Sequence, residues 1–428
     1  MVWTFSASHA ESLMAPVSPG GRSLIDRIEE QTGVSIDVEL MTPNTLDLRL
    51  MTLLRAGDHR ETLPDVVHLE ILSAAKYLEP DGGGIGLLPL DDHLARSGLL
   101  ERLMPSRLAS WSRGGRVYGI PLGVHPVTLT WRRDLFEAAG LDPAACRSWD
   151  ELADVLRRYC AYWEAHGRPG VRALELSRTR SDHITLMLQQ RGVALVDDEG
   201  RPNLRDPHIA PTVAFHAELL AGDTPVAIPT SEGHGRFAGD LVRGDVAMIW
   251  TPDWRIEPLE SAAPELAGKL AMMPLPPFEP GDARTAPWGG SMLAIPRGVA
   301  DPDAAFALAE RLAASDDALA ARRRDAYVVP ALRNPMMYVR GAGTSPLYGE
   351  QPIRRLYAEL AAEAGPERVT PLSLAAAAHL AAIVSRSAEA RQSGLRGEAL
   401  EAQINHWLAD AQADLLRRAR FASGGARQ

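Results

Sequence analysis

Lysine is nearly missing from this sequence: of its 45 basic residues only Lys76 and Lys269 are lysines, and the rest are arginines. That bias reads as codon usage in a GC-rich genome, not as an arginine surface built for a task. Positive charge is short overall. The net charge of -10 argues against a nucleic-acid partner, because phosphate binding needs a basic surface. Cysteine is scarce too, with Cys146 and Cys160 alone. With the segment from Asp150 onward helical, the pair lies about 15 Å or more apart along the axis, beyond the roughly 7 Å Cα separation of a disulfide. Two free thiols are expected, and they say little about redox compartment. No run of about 18 apolar residues occurs, so nothing is expected to span a membrane. The twelve histidines show no close ligand spacing of the HExxH kind, so no metal and no other cofactor is expected. The opening MVWTFSASHAES has neither the charged start nor the apolar stretch of a signal peptide, which taken alone points to the cytoplasm. The alternative is that an export signal is absent from this sequence, because Val2 to Phe5 already reads as a strand.

What is present is ordinary for a globular chain: 46% hydrophobic and 23% charged residues over 428 positions, enough for two medium domains. The N-terminal third alternates strands with helices. Val2 to Phe5, Val34 to Leu40 and PDVVHLE (Pro64 to Glu70) read as strands. A helix is expected at about Ser23 to Gln31, with Leu24, Ile25 and Ile28 on one face. Another follows Asn44 as cap, carries the stripe Leu46, Leu50, Leu53 and Leu54, and ends at Gly57. Strand, helix, strand, helix, strand is the pattern of a parallel sheet covered by helices, so an α/β fold is expected.

RVYGIPLGVHPVTLTWRRDLF, Arg116 to Phe136, breaks that rhythm. Two extended segments flank a Pro/Gly-bearing stretch from Pro121 to Pro126, which suits a crossing from one lobe to another. SWDELADVLRRYCAYW opens a second helical unit, with Ser148 as N-cap and Glu151 as its capping-box partner. GDVAMIW, Gly244 to Trp250, is a second-lobe strand. MPLPPFEPG, Met273 to Gly281, reads as another crossing, and GGSMLAIPRG, Gly289 to Gly298, returns to a strand. Leu372 to Ser385 and Gly397 to Arg420 are helical, and the tail SGGARQ is expected to fray.

In order along the chain, PDVVHLE, LPLDDHL, RVYGIPLG, WRRDLFEAAGLDP, SWDELADVL, RGDVAMIW, GGSMLAIPRG and VVPALRNP resemble the extracellular solute-binding proteins of ABC importers, the family that includes maltose-binding protein. The resemblance covers Val2 to Asn334 by motif and the helical tail by composition. It implies two α/β lobes joined by chain crossings with a ligand cleft between them. The first lobe would comprise residues 1–123 and 278–331, and the second 126–277 and 332–428. Strand C-termini would point loops at the cleft, and lobe closure would complete the site. The implied function is capture of a mono- or oligosaccharide outside the cytoplasmic membrane, by a periplasmic or lipid-anchored protein, and delivery to permease subunits. The chain is expected to be a monomer and not an enzyme. Two features depart from the family pattern. MAPVSPGG, Met14 to Gly21, cannot be helical throughout, so His9 to Gly21 is expected as a loop that reshapes the cleft wall. EPDGGGIG, Glu79 to Gly86, is a glycine-rich loop without the Gly-Lys-Ser/Thr ending of a phosphate cradle.

Sugars present hydroxyls and apolar ring faces, which call for fixed polar groups and aromatic planes. Trp254 resembles the family's stacking tryptophan just past the GDVAM strand. Trp250 is a second candidate or a core residue, and Trp288 a third or a packing residue. Ser6, Ser8 and His9 follow the first strand, as hydroxyl-binding groups or as turn and cap chemistry. Glu70 ends the third strand, where a carboxylate can accept two sugar hydroxyls. His125 sits in the first crossing, either facing the ligand or packed as a hinge residue. Arg180 and Asp182, in the SRTRSDH segment, reach the cleft or pair with each other at the surface. If Arg178 and Arg180 both face a ligand, a uronate or sugar phosphate becomes the alternative cargo. Tyr327 is a further candidate. The rival readings are a cysteine-nucleophile enzyme, which Cys146 and Cys160 fit badly because they lie away from every expected strand end, a two-carboxylate glycosidase using Glu70 and Asp182, and a sensory module.

Overall fold

The alternation of strand and helix seen in the sequence is what the chain forms. The computed structural model describes residues 1–16, 20–56, 63–78, 86–197, 199–229, 237–325, 327–339, 344–367 and 369–424. Ten strands build its two main sheets. In chain order they are β1 (Val2–Thr4), β2 (Val38–Leu40), β3 (Val66–Glu70), β4 (Ile120–Pro121), β5 (Val127–Arg132), β6 (Arg172–Leu176), β7 (Ala227–Pro229), β8 (Val246–Pro252), β9 (Leu270–Pro274) and β10 (Ser291–Ala294). The chain divides into two compact units. One comprises Met1–His125, Gly289–Val339 and Pro366–Pro371, and the other Pro126–Trp288, Arg340–Gly365 and Leu372–Gln428.

The first unit's sheet has the order β2-β1-β3-β10-β4. β1 runs parallel to β2 and β3, and β10 runs antiparallel to β3 and β4. Successive strand residues point to opposite faces, so each central strand feeds two cores. Val2 and Val66 join Leu24, Ile28, Leu94 and Leu293 on one side. Trp3 and Val67 join Leu46, Leu50, Tyr77 and Met292 on the other. The C-terminal ends of β1 and β3 share one edge, and there Ile71 N–H donates to the Gly290 carbonyl at 2.9 Å.

The second unit's sheet has the order β9-β5-β8-β6-β7, with β5 antiparallel to its neighbours and β6, β7 and β8 parallel. Its core includes Trp149, Tyr159, Met187 and Trp250. The helix Trp149–Ala165 begins at Ser148, whose hydroxyl accepts the Glu151 N–H. The Glu151 carboxylate reaches one residue further back than the expected capping box, to Arg147 N–H at 2.7 Å. The helices Pro371–Gln392 and Gly397–Gly424 dock on this core through Ala376, Leu380, Val384 and Ala388, and through Ile404, Leu408, Ala411 and Leu415, the spacing of one helical face.

Four expectations need correction. His9 to Met14 is not a loop: the helix Ala7–Met14 starts directly after β1, because Ser6 caps it by accepting His9 N–H at 3.2 Å and Ala10 and Leu13 are buried. Among the described residues, Ala15, Pro16 and the stretch Gly20 to Ser23 lie outside helices. Asn44 does not cap its helix, which begins at Pro43, and the hydroxyl of Thr42 accepts the Thr45 N–H instead. The MPLPPFEPG stretch is not a crossing. Phe278 packs on Trp149 and Phe215, and Trp149 N–H donates to the Pro277 carbonyl, so residues 278–288 stay with the second unit. Residues 332–339 belong to the first unit, where Arg333 N–H donates to the Arg102 carbonyl. Gly57, most of the glycine-rich loop 79–86 and the last four residues of the tail lie outside the described residues.

Candidate functional site

In the first unit the edge formed by β1 and β3 gathers polar groups. Ser6 is half-buried and Ser8 exposed, and their hydroxyls lie 3.2 Å apart. Below them is a buried constellation that sequence reasoning missed in part. The Thr4 hydroxyl lies 2.9 Å from His68 Nδ1 and 3.3 Å from His9 Nδ1. One hydroxyl has one proton to donate, so at most one of the two imidazoles accepts from Thr4. Their rings sit 4.3 Å apart, and Phe5 stacks on His68 at 4.5 Å. Burial, aided by the Arg322 guanidinium, lowers His9 to about 3 and takes His68 well below the usual histidine range. His9 is therefore a buried neutral ring, not the open hydroxyl-binding group expected from its place in the sequence. A histidine inside the apolar run VVHLE was the available signal for His68.

Glu70 is half-buried at the end of β3. Burial and the Asp47 carboxylate raise its pKa, and Lys76 opposes them. Asp47 itself accepts from Ser73 at 2.8 Å, Lys76 at 2.6 Å and Tyr77 at 3.0 Å. Glu70 is thus a carboxylate at the sheet edge, suited to accepting hydroxyls. His125 is buried at φ 59, in the left-handed region. A Cβ on Gly123 would lie 2.6 Å from its ring, and one on Gly290 3.7 Å from it, so those glycines make room for it. That is the packed arrangement, not an open ligand-facing one. Tyr327 is 9% exposed, beside the segment where Val124 N–H donates to the Val329 carbonyl, and it too is packed.

In the second unit the C-terminal edge of β8 carries the aromatic residues. Pro252, the last residue of β8, pairs with Val127, and Val127 N–H donates to the Ala286 carbonyl. That register brings Trp288 to the same edge as Trp254. The Trp254 Nε1–H donates to the Trp288 carbonyl at 3.0 Å, and the two half-buried rings meet edge to face at 6.0 Å. Trp250 is different. It is 0% exposed, stacks on Trp149 at 5.4 Å and donates Nε1–H to the Glu175 carbonyl. β8 directs its side chain into the core, so the expectation that Trp250 touches ligand is corrected. Behind it, Arg255 forks onto both Glu175 oxygens at 3.0 Å and donates to the Trp250 carbonyl, fixing the turn that carries Trp254.

Arg180 and Asp182 follow β6 at that edge and bind each other at 2.6 Å, the surface pairing allowed for in the sequence. Arg178 points instead to Gln392 and Glu389 on the C-terminal helices, so it does not share a fork with Arg180. Cys146 and Cys160 are free thiols. Burial with the Glu151 and Asp142 carboxylates pushes Cys146 up to about 11, and burial raises Cys160, so neither is an activated nucleophile. Among the described residues, no group of three or more His, Cys, Asp or Glu side chains could hold a metal ion, and no helix is long and apolar enough to cross a membrane.

Residues 23–334 match a family described as bacterial extracellular solute-binding protein. The chain is 25% identical over 296 residues to an arabinooligosaccharide-binding protein of Halalkalibacterium halodurans, covering 68% of this chain and 61% of that one. It is 23% identical over 296 residues to an arabinooligosaccharide-binding protein of Bacillus subtilis, covering 69% and 64%. The matches thus span less than two thirds of those relatives' lengths. Among solved structures, the sugar-binding protein MalE of Xanthomonas citri superposes with a TM-score of 0.74 at 17% identity, covering 98% of each chain, which is a likeness of fold.

Proposed function

The chain belongs to the bacterial extracellular solute-binding proteins, and from that membership we propose that it is the substrate-binding subunit of an ABC importer for a mono- or oligosaccharide. The observation that carries the reading is the Trp254–Trp288 pair at the C-terminal edge of the second unit's sheet, where ligands bind in open α/β sheets. Two half-buried indoles held edge to face keep an aromatic ring face in a fixed place for a pyranose. Each unit by itself carries groups that can bond sugar hydroxyls: Ser6, Ser8 and Glu70 at the strand ends of the first, and Arg180 and Asp182 at those of the second. The protein works as a monomer outside the cytoplasmic membrane. It hands its ligand to permease subunits, and it performs no chemistry on the ligand and needs no cofactor. Relatives that bind arabinooligosaccharides support a carbohydrate as the cargo class. The split of Arg178 from Arg180 supports a neutral sugar over a uronate or sugar phosphate.

A thermal-shift screen over mono-, di- and oligosaccharides, uronates and polyols tests this. A ligand present at about 100 times its Kd adds roughly 2.7 kcal/mol of stability and raises Tm accordingly. No shift with any neutral carbohydrate, or a shift with anionic ones only, overturns the reading. Turnover of a bound oligosaccharide on long incubation would make the chain an enzyme.

A further inference from the structure

The segment Ser177 to His183 leaves β6 and enters the helix Asp182–Gln190. Helix starts are usually tied by a side chain at the N-cap, but Ser181, in that position, makes no capping bond. Two bonds tie the segment's own backbone N–H groups instead. Arg180 N–H donates to the Ser177 hydroxyl at 2.9 Å, and Ser177 N–H donates to His183 Nδ1 at 2.8 Å. A ring nitrogen that accepts carries no proton, so the single proton of neutral His183 is on Nε2. Nε2 is buried and has no hydrogen-bond partner among the described residues, so it does not compete for the ring's orientation. Packing sets that orientation. The imidazole lies nearly parallel to Trp250, 5.3 Å away at 18°, and presents to Trp288 at 5.5 Å and 77°. Trp288 in turn holds Trp254.

We propose that His183 is a positioning residue of the second unit: its imidazole ties the loop carrying Arg180 and Asp182 to the Trp254–Trp288 pair, so that the polar and aromatic halves of this ligand face keep a fixed spacing. The inference rests on the carbohydrate-binding reading for its purpose, and on Ser177, His183, Trp250 and Trp288 for its geometry. The charged groups around the ring are Asp182, Arg180 and Arg255, the last paired with Glu175, and the neutral His216 lies on the core side. A fixed spacing matters most for a ligand that engages both halves at once. A short sugar resting on the tryptophan pair alone is less sensitive to it.

The test compares the parent with His183→Phe, which keeps a flat ring and removes the acceptor, and His183→Asn, whose side-chain oxygen restores an acceptor near Nδ1. Long-range nitrogen–proton spectra of the ligand-free parent should show His183 protonated on Nε2 alone. Amide exchange at Ser177 should quicken about tenfold in His183→Phe and return towards the parent rate in His183→Asn. Affinity for the best carbohydrate from the screen, measured by calorimetry, should fall about tenfold in His183→Phe and recover in large part in His183→Asn. A proton on Nδ1, unchanged Ser177 exchange in His183→Phe, or parent-level affinity in that variant overturns the proposal. If His183→Phe does not fold, the parent spectrum and the exchange of His183→Asn decide it. If the parent binds no carbohydrate, the functional reading fails, while the spectrum and the exchange rates still decide whether His183 holds the loop.

Discussion

Acidification from about pH 7.5 to about pH 5 should destabilise both units, through histidines that burial keeps neutral. His9 in the first unit and His183 and His216 in the second are each held at about 3, against an ordinary value of 6.5, with desolvation the largest cause. Once unfolded, each ring takes up a proton as the pH falls through 6.5, while the folded ring does so only near 3. The unfolded state therefore binds more protons throughout that window. The stability these rings allow is complete above pH 6.5 and is lost progressively as the pH falls towards 3. At about pH 5 each of these three rings loses about 2 kcal/mol, about 6 kcal/mol together, and His68, also held well below the usual range, adds to the loss. Carboxylates held low by arginines, such as Asp134 with Arg132 and Glu363 with Arg284, add losses only below their own ordinary values of 3.8 and 4.5. Glu70, raised by burial, works in the opposite sense. The interval from about pH 7 to about pH 5 thus isolates the histidines. The assay is urea unfolding at steps across that interval, with His216→Leu as the diagnostic variant because both its ring nitrogens are buried without partners among the described residues. The variant should lose about 2 kcal/mol of the change between pH 7 and pH 5. Stability that stays level from pH 7 to pH 5, or a His216→Leu variant with the parent's slope, would refute the reasoning.

Trp254→Ala should leave the fold intact and weaken carbohydrate binding by roughly 2 kcal/mol or more by calorimetry, whereas parent affinity would remove Trp254 from the site. Trp250→Ala should act on stability instead, costing about 3–5 kcal/mol in chemical denaturation, because it empties a core position that is 0% exposed. Glu175→Gln should cost about 3–5 kcal/mol by leaving Arg255 buried without its partner charge, and a near-neutral melt would show that water reaches the pair. The double variant Cys146→Ser, Cys160→Ser should keep parent affinity. Lost binding with an intact fold would revive the thiol chemistry that the raised pKa values argue against.

Much of the framework was legible because it rests on local rules. Short apolar runs placed β3 within PDVVHLE and most of β8 in GDVAMIW, the Ser148 cap placed a helix start, and the Ala- and Leu-rich stretch Leu372 to Ser385 marked a helix. The cysteine spacing excluded a disulfide on chain geometry alone. Pattern could not say which way a strand-end side chain turns. Trp250 and Trp254 stand four residues apart in similar company, yet one is sealed in the core by Trp149 and the other is half-buried beside Trp288, because strand pleat and the turn at Asp253 send them in different directions. Nor could it say what shares a hydrogen bond. Thr4 and His68 are 64 positions apart and Arg255 and Glu175 are 80 apart, and only the sheet registers bring them together. The order of the elements and the apolar faces they must bury follow from neighbouring residues and belong to the sequence. The protonation of His9 and His183, the pairing of Trp254 with Trp288 and the packing of His125 between two glycines arise where distant segments meet, and the tertiary structure alone decided them.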